Sequence, residues 1–348
     1  MEEAMKQALT AIVGNSALRQ RFGEDARFGR FPHACILEGA CGTGKHTIAK
    51  MTAAALVCEA KNDEAAPIPC LKCPTCKKIL ENKFPDLITV GREDGRATIG
   101  VETIRFLKED VHIVPNDADA KVYIIEDADL MTTQAQNAFL LTLEEPPRYV
   151  HFILLCEHAD VLLETIRSRA PIFRTEPLSK QEIDHYLCDH DPRAVDLKQT
   201  NPKEYAELLA ASGTGIGQAL SFLDPKVWAP VRARRTLVDE LIAASIEQAG
   251  AKKILPLLLK IPQKRDAVEQ HLLTAADAVR DLMVLKKSDE APLSFYSDRT
   301  EALERSDKAS LVFLNRLLQA ILASLAENDR NANLRLCLLH LAISAELI

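Results

Sequence analysis

Short, uninterrupted apolar runs alternate with helix-spaced segments through the first half of the chain. Residues 34–37, 122–125 and 152–155 are such runs, and each predicts a buried strand. Residues 47–57 and 134–143 place apolar side chains at the spacing of one helix face. Strands apolar on both faces, with helices between them, predict a parallel sheet covered on both sides. After about Glu176 the strand signal stops. Residues 179–188, 202–211 and 216–223 predict a small lid of three helices. From 227 to 348 amphipathic helices follow one another, among them 237–249, 267–285 and 310–325, with 289–298 as a loop. The fold class read from this pattern is α/β followed by all-α. Three domains follow: a sheet domain over 1–176 with an insertion at 58–76, a helical lid over 177–226, and a helical bundle over 227–348.

A length of 348 residues suits two or three domains, and 47% hydrophobic with 27% charged residues is an ordinary globular balance. The net charge of −7 argues against a free-standing basic nucleic-acid binder. It leaves open contact with nucleic acid through backbone amides inside a larger assembly. The polar start, Met1 to Lys6, and the absence of a bilayer-length apolar run lead us to expect a soluble, cytoplasmic protein.

Candidate chemistry begins at Gly39-Ala40-Cys41-Gly42-Thr43-Gly44-Lys45, between a predicted strand and a predicted helix. That context suits a phosphate loop. Its glycines turn backbone amides toward phosphates, the helix N-terminus adds positive potential, and Lys45 reaches the terminal phosphates. A plainer alternative is a glycine-rich turn with a solvated lysine; the flanking elements favour a nucleotide. The next residue should carry a hydroxyl for Mg2+, but His46 stands there and Thr47 comes one place late. One residue along a helix rotates a side chain by about 100°, so Thr47 does not simply take over. Imidazole also suits a hard, oxygen-seeking cation poorly. ATP or ADP stays a candidate ligand while Mg2+ is disfavoured.

The apolar run 122–125 ends in Glu126-Asp127. Phosphate-loop ATPases place an Asp here on magnesium, followed in one branch by a Glu that orients water. The order is reversed in this chain. Moving each carboxylate by a methylene costs positioning, worth roughly a hundredfold in rate. The alternative is a pair of solvated acids closing a strand.

Cys58 is followed by Cys70, Cys73 and Cys76 at two-residue gaps. Four thiolates close a tetrahedral structural Zn2+ site with no open position. Cys35, Cys41, Cys156, Cys188 and Cys337 are scattered and read as packing residues.

Beyond the acids, Ala128-Asp129-Leu130-Met131 leads through Ala135-Gln136-Asn137-Ala138-Phe139-Leu140 to Thr142-Leu143-Glu144-Glu145-Pro146-Pro147. Over its whole length the chain resembles the clamp-loader branch of the AAA+ ATPases. Ile12-Val13-Gly14 is similar to that family's N-terminal motif, and the stretch from Asn331 to Leu339, with Asn333 and Leu334, to its last collar helix. Leu141 departs from the lysine usual in the motor subunits. Thr165-Ile166-Arg167-Ser168-Arg169-Ala170 resembles the family's Ser-Arg-Cys motif with Ala170 for the cysteine, which implies that Arg169 is an arginine finger for a neighbour's ATP. Two further positions fall short of the family pattern. The polar sensor's place is Leu155 or Cys156, and the lid arginine's place is Gly217 or, one residue on, Gln218.

The losses thus fall on the chain's own nucleotide site, while the group offered to a neighbour is kept. Within the family this pattern resembles the delta prime type, with weak or absent ATPase of its own. The resemblance implies a collar bundle, a structural zinc module, and partnership with tau/gamma and delta subunits in a hetero-pentamer. It also implies access through that complex to a sliding clamp and primed DNA. Two rivals remain: a tau/gamma-type motor ATPase and an unrelated AAA+ regulator.

Overall fold

Five parallel strands form one sheet in the computed structural model, which describes residues 12–63, 65–92, 96–288, 293–329 and 332–345. They are β1 (Ala34–Glu38), β2 (Leu87–Val90), β3 (Lys121–Ile125), β4 (Val150–Cys156) and β5 (Ile172–Arg174), in the order β2-β3-β4-β1-β5. Ile36 of β1 faces Leu154 on one side and Ile172 on the other. Because side chains alternate along a strand, Cys35, Leu37, Val122, Ile124, Ile153 and Leu155 go to one face. Ala34, Ile36, Tyr123, Ile125, Phe152 and Leu154 go to the other.

The first face is covered by α1 (Ser16–Arg27), α2 (Lys45–Leu56) and α3 (Pro74–Leu80). The second is covered by α4 (Val101–Asp110), α5 (Thr133–Glu144) and the single turn α6 (Glu164–Arg167). Local chemistry sets their ends. The Thr132 hydroxyl accepts from the Ala135 amide to start α5, and Pro146-Pro147 follow its last turn. In the core Phe139 meets Phe152 edge-on at 5.2 Å, and Tyr123 stacks on Phe152 at 5.3 Å.

The three predicted strands are present, each a residue or more longer than its apolar run. Sequence reading passed over β2 and β5 because both are short edge strands with partly exposed side chains. After β5 the chain is helical, as expected. The lid region holds four helices rather than three: α7 (Lys180–His190), α8 (Pro192–Thr200), α9 (Pro202–Ala211) and α10 (Ile216–Phe222). The pattern hid α8, which buries Ala194 alone.

Two compact units result: Met1–Glu182 with Thr214–Ile216, and Ile183–Gly213 with Gly217–Ile348. The expected division at 226/227 falls inside one helix, α11 (Pro225–Ile246), which is capped by Asp224. Five more helices complete the second unit: α12 (Ala251–Leu259), α13 (Arg265–Leu285), α14 (Arg299–Lys308), α15 (Leu311–Asp329) and α16 (Leu334–Ser344). Val238, Leu272, Leu282, Leu314, Ile321 and Leu338 meet in their core. The fully buried Asp281 carboxylate accepts backbone N–H bonds from Ser294, Phe295 and Tyr296 at 2.7–3.1 Å. It thereby folds the segment before α14 onto the bundle. Asn331, residues 1–6 and 289–292 lie outside the described residues. Among those described, no single helix is long and apolar enough to cross a membrane.

Candidate phosphate-loop site and cysteine cluster

β1 delivers its carboxyl end between β4 and β5, where the strand order reverses. Ligands of open parallel sheets gather at such switch points. The loop leaving β1 turns through Gly42 and Gly44, both at φ +83°, where a side chain would be strained. A Cβ on Gly42 would also come within 3.0 Å of the Gly215 Cα. The Thr43 hydroxyl donates to the Ala40 carbonyl at 2.9 Å and shares a hydrogen bond with the Thr175 hydroxyl at 2.8 Å. Lys45 folds back on the loop, its Nζ donating to the carbonyls of Gly39 and Ala40. Gly39, Thr43, Gly44 and Lys45 are therefore gathered as a phosphate loop requires, with the lysine satisfied internally.

His46 and Glu126 meet directly: Nε2 lies 2.7 Å from Oε1. A bond from the Glu126 amide to the Val90 carbonyl fixes the end of β3 for this contact. Asp127 takes a left-handed backbone, φ 48°, and its carboxylate pairs with Arg92 at 3.0 Å. Thr47 is exposed one position further along α2. The two groups that would hold magnesium thus bind each other, and the second acid turns to an arginine. At the sensor position Leu155 and Cys156 are both buried, and burial pushes the Cys156 thiol up to about 12. Neither presents a polar atom to a phosphate. Gly217 and Gln218 occupy the first turn of α10, in the second unit.

Arg167 and Arg169 differ in their anchoring. Arg167 Nε donates to the Leu162 carbonyl at 3.1 Å, on its own segment. Arg169 reaches the end of α5, where Nη2 meets Glu144 Oε1 at 2.8 Å, and Nη1 donates to the Thr165 carbonyl at 3.0 Å. Its side chain remains 36% exposed. Ala170 is fully buried among Ile166 and Leu162, so the small residue fits the packing there. Gln136 ties α5 to this region, donating to the Met131 carbonyl and accepting from the Leu163 amide at 2.8 Å. Glu144 and Gln136 stand in the signature stretch of the sequence, but their partners Arg169 and Leu163 lie too far along the chain for spacing to reveal.

The four clustered cysteines converge. The sulfurs of Cys58, Cys70, Cys73 and Cys76 all lie within 4.8 Å of one another. Zinc–sulfur bonds of about 2.3 Å set tetrahedral sulfurs about 3.8 Å apart, so a small contraction would seat the ion. The Cys70, Cys73 and Cys76 amides each approach the preceding cluster sulfur at 3.4 Å, as thiolates favour. The hydrogen bond from Cys76 pulls the Cys58 thiol down to about 5. Donor chemistry, spacing and amide support all fit zinc. Of the remaining cysteines, Cys35, Cys156 and Cys337 are buried, but Cys41 is exposed on the phosphate loop and is no packing residue.

Residues 14–179 match the family described as DNA polymerase III, delta subunit. The gamma subunit of DNA polymerase III from Buchnera aphidicola subsp. Schizaphis graminum is 32% identical over 181 residues, covering 52% of this chain and 48% of that protein. The tau subunit from Escherichia coli is 30% identical over 286 residues, covering 73% and 44%. The delta' subunit from Yersinia pestis is 34% identical over 155 residues, covering 44% of each. The chain spans about half the length of these curated relatives. Taken with the parallel sheet and its phosphate loop, residues 14–179 are thus similar to the delta-, gamma- and tau-type subunits of DNA polymerase III.

Proposed function

We propose that the chain is a delta-prime-type stator of a DNA polymerase III clamp loader. In this reading it binds tau/gamma and delta subunits in a hetero-pentamer, and through them serves a sliding clamp at primed DNA. Its own phosphate loop can receive ATP or ADP but turns over little or none. Arg169 acts in trans, presenting a guanidinium to the ATP of the neighbouring motor subunit, where charge spreads over the transferring phosphoryl group. The observation that carries this reading is the 2.7 Å contact between His46 Nε2 and Glu126 Oε1, which joins the groups at the two positions that would hold magnesium. Cys58, Cys70, Cys73 and Cys76 hold a structural Zn2+. The segment 1–176 serves as AAA+ module, the helices from 177 up to the cap of α11 at Asp224 as lid, and α11 onward as collar. The collar role is supported by Leu336 and Ile343 on α16, 64% and 61% exposed opposite the buried Leu338 and Leu341.

The test is a loader reconstituted with tau/gamma and delta subunits in which Arg169→Ala replaces the native chain. Loss of an arginine finger costs about 10³-fold or more in turnover at the site it serves. Unchanged turnover would remove the role. A second reading, a tau/gamma-type motor ATPase, is favoured by the gamma and tau subunits among the relatives. It requires the chain alone to hydrolyse ATP.

A further inference from the structure

A phosphate loop ordinarily meets its nucleotide together with Mg2+, held by a hydroxyl after the loop lysine and an acid at the neighbouring strand's end. That ion demands oxygen ligands in near-octahedral geometry. The residues here do not fit it. His46 brings a nitrogen to the hydroxyl's place. Glu126 Oε1 is engaged by His46 at 2.7 Å, and the Asp127 carboxylate by Arg92 at 3.0 Å. The Thr43 hydroxyl, 2% exposed, lies between the Ala40 carbonyl and the Thr175 hydroxyl. What the loop itself adds is nitrogen: the amides opening α2, the Lys45 ammonium and the His46 imidazole. Such a set answers phosphate oxygens and offers nothing to a hard cation.

We propose that this loop takes a nucleoside di- or triphosphate without a divalent cation. His46 stays on Glu126 and keeps that carboxylate engaged, while Lys45 meets the terminal phosphate oxygens. Lys45 exchanges the carbonyls of Gly39 and Ala40 for phosphate oxygens, a swap of acceptors that leaves its donors satisfied. The inference rests on reading the loop as a degenerate nucleotide site, and it adds the manner in which that site binds.

The experiment is isothermal titration of the zinc-loaded protein with ADP and with ATP, once with magnesium chloride and once with magnesium stripped by a chelating resin. The dissociation constants are expected to agree within about twofold, a difference under about 0.5 kcal/mol. Lys45→Ala should lose binding under both conditions. His46→Ser returns an oxygen ligand and frees Glu126, so magnesium should then tighten binding by about tenfold. Three results would overturn the proposal: tenfold tightening of the native chain by magnesium, no binding at millimolar nucleotide, or a folded His46→Ser protein still indifferent to the ion. Should His46→Ser not fold, the native comparison decides alone. None of these results bears on Arg169, so the stator reading and this one fail separately.

Discussion

Arg167 and Arg169 stand two residues apart with the same side chain, and only their surroundings separate them. Arg167 is pinned to its own segment at Leu162, whereas Arg169 reaches across to Glu144 and stays partly open to solvent. An exposed ion pair of that kind contributes little to stability, so breaking it should leave the fold intact. Asp281 is the opposite case. Its fully buried carboxylate gathers the amides of Ser294, Phe295 and Tyr296, and truncation leaves those donors unpaired. Asp281→Ala is expected to cost about 2–4 kcal/mol, seen as a lowered denaturation midpoint; a change within about 0.5 kcal/mol would contradict the account. Sequence alone revealed that His46, Glu126 and Asp127 were the wrong residues for magnesium. It did not reveal that His46 and Glu126 bind each other, because that contact joins α2 to the end of β3 through the sheet order.

Among the elements, the central strands were legible because both their faces are buried and the apolar run is unbroken. Edge strands β2 and β5, and the polar helix α8, lacked that signal and emerge only from their neighbours. The cysteine cluster was legible from spacing, but how its fourth member joins was not. Cys58 closes the turn after α2, and Cys73 caps α3, so the cluster clips two helices of one sheet face. Metal analysis of the purified protein is expected to give about one zinc per chain. Cys73→Ser should lower both zinc content and the thermal midpoint of unfolding, since metal affinity at such sites is folding free energy. A Cys73→Ser protein with full zinc and an unchanged midpoint would dismiss the cluster as a metal site.

In the whole molecule, the residues at the magnesium positions and the guanidinium proposed to serve a neighbour sit on the same α/β unit. His46, Glu126 and Asp127 gather at the carboxyl ends of β1 and β3, while Arg169 follows α6. Composition shows nothing of this division, and a net charge of −7 leaves the partners open. It follows from which residues occupy a handful of loop positions. Likeness to DNA polymerase III gamma, tau and delta' subunits supports two readings, motor and stator, and they differ in a single observable. Steady-state ATP turnover by the purified, zinc-loaded chain in saturating Mg2+ measures it directly. The account expects turnover indistinguishable from a Lys45→Ala control, and Lys45-dependent hydrolysis at the roughly 1 s⁻¹ or faster typical of enzymes would contradict it.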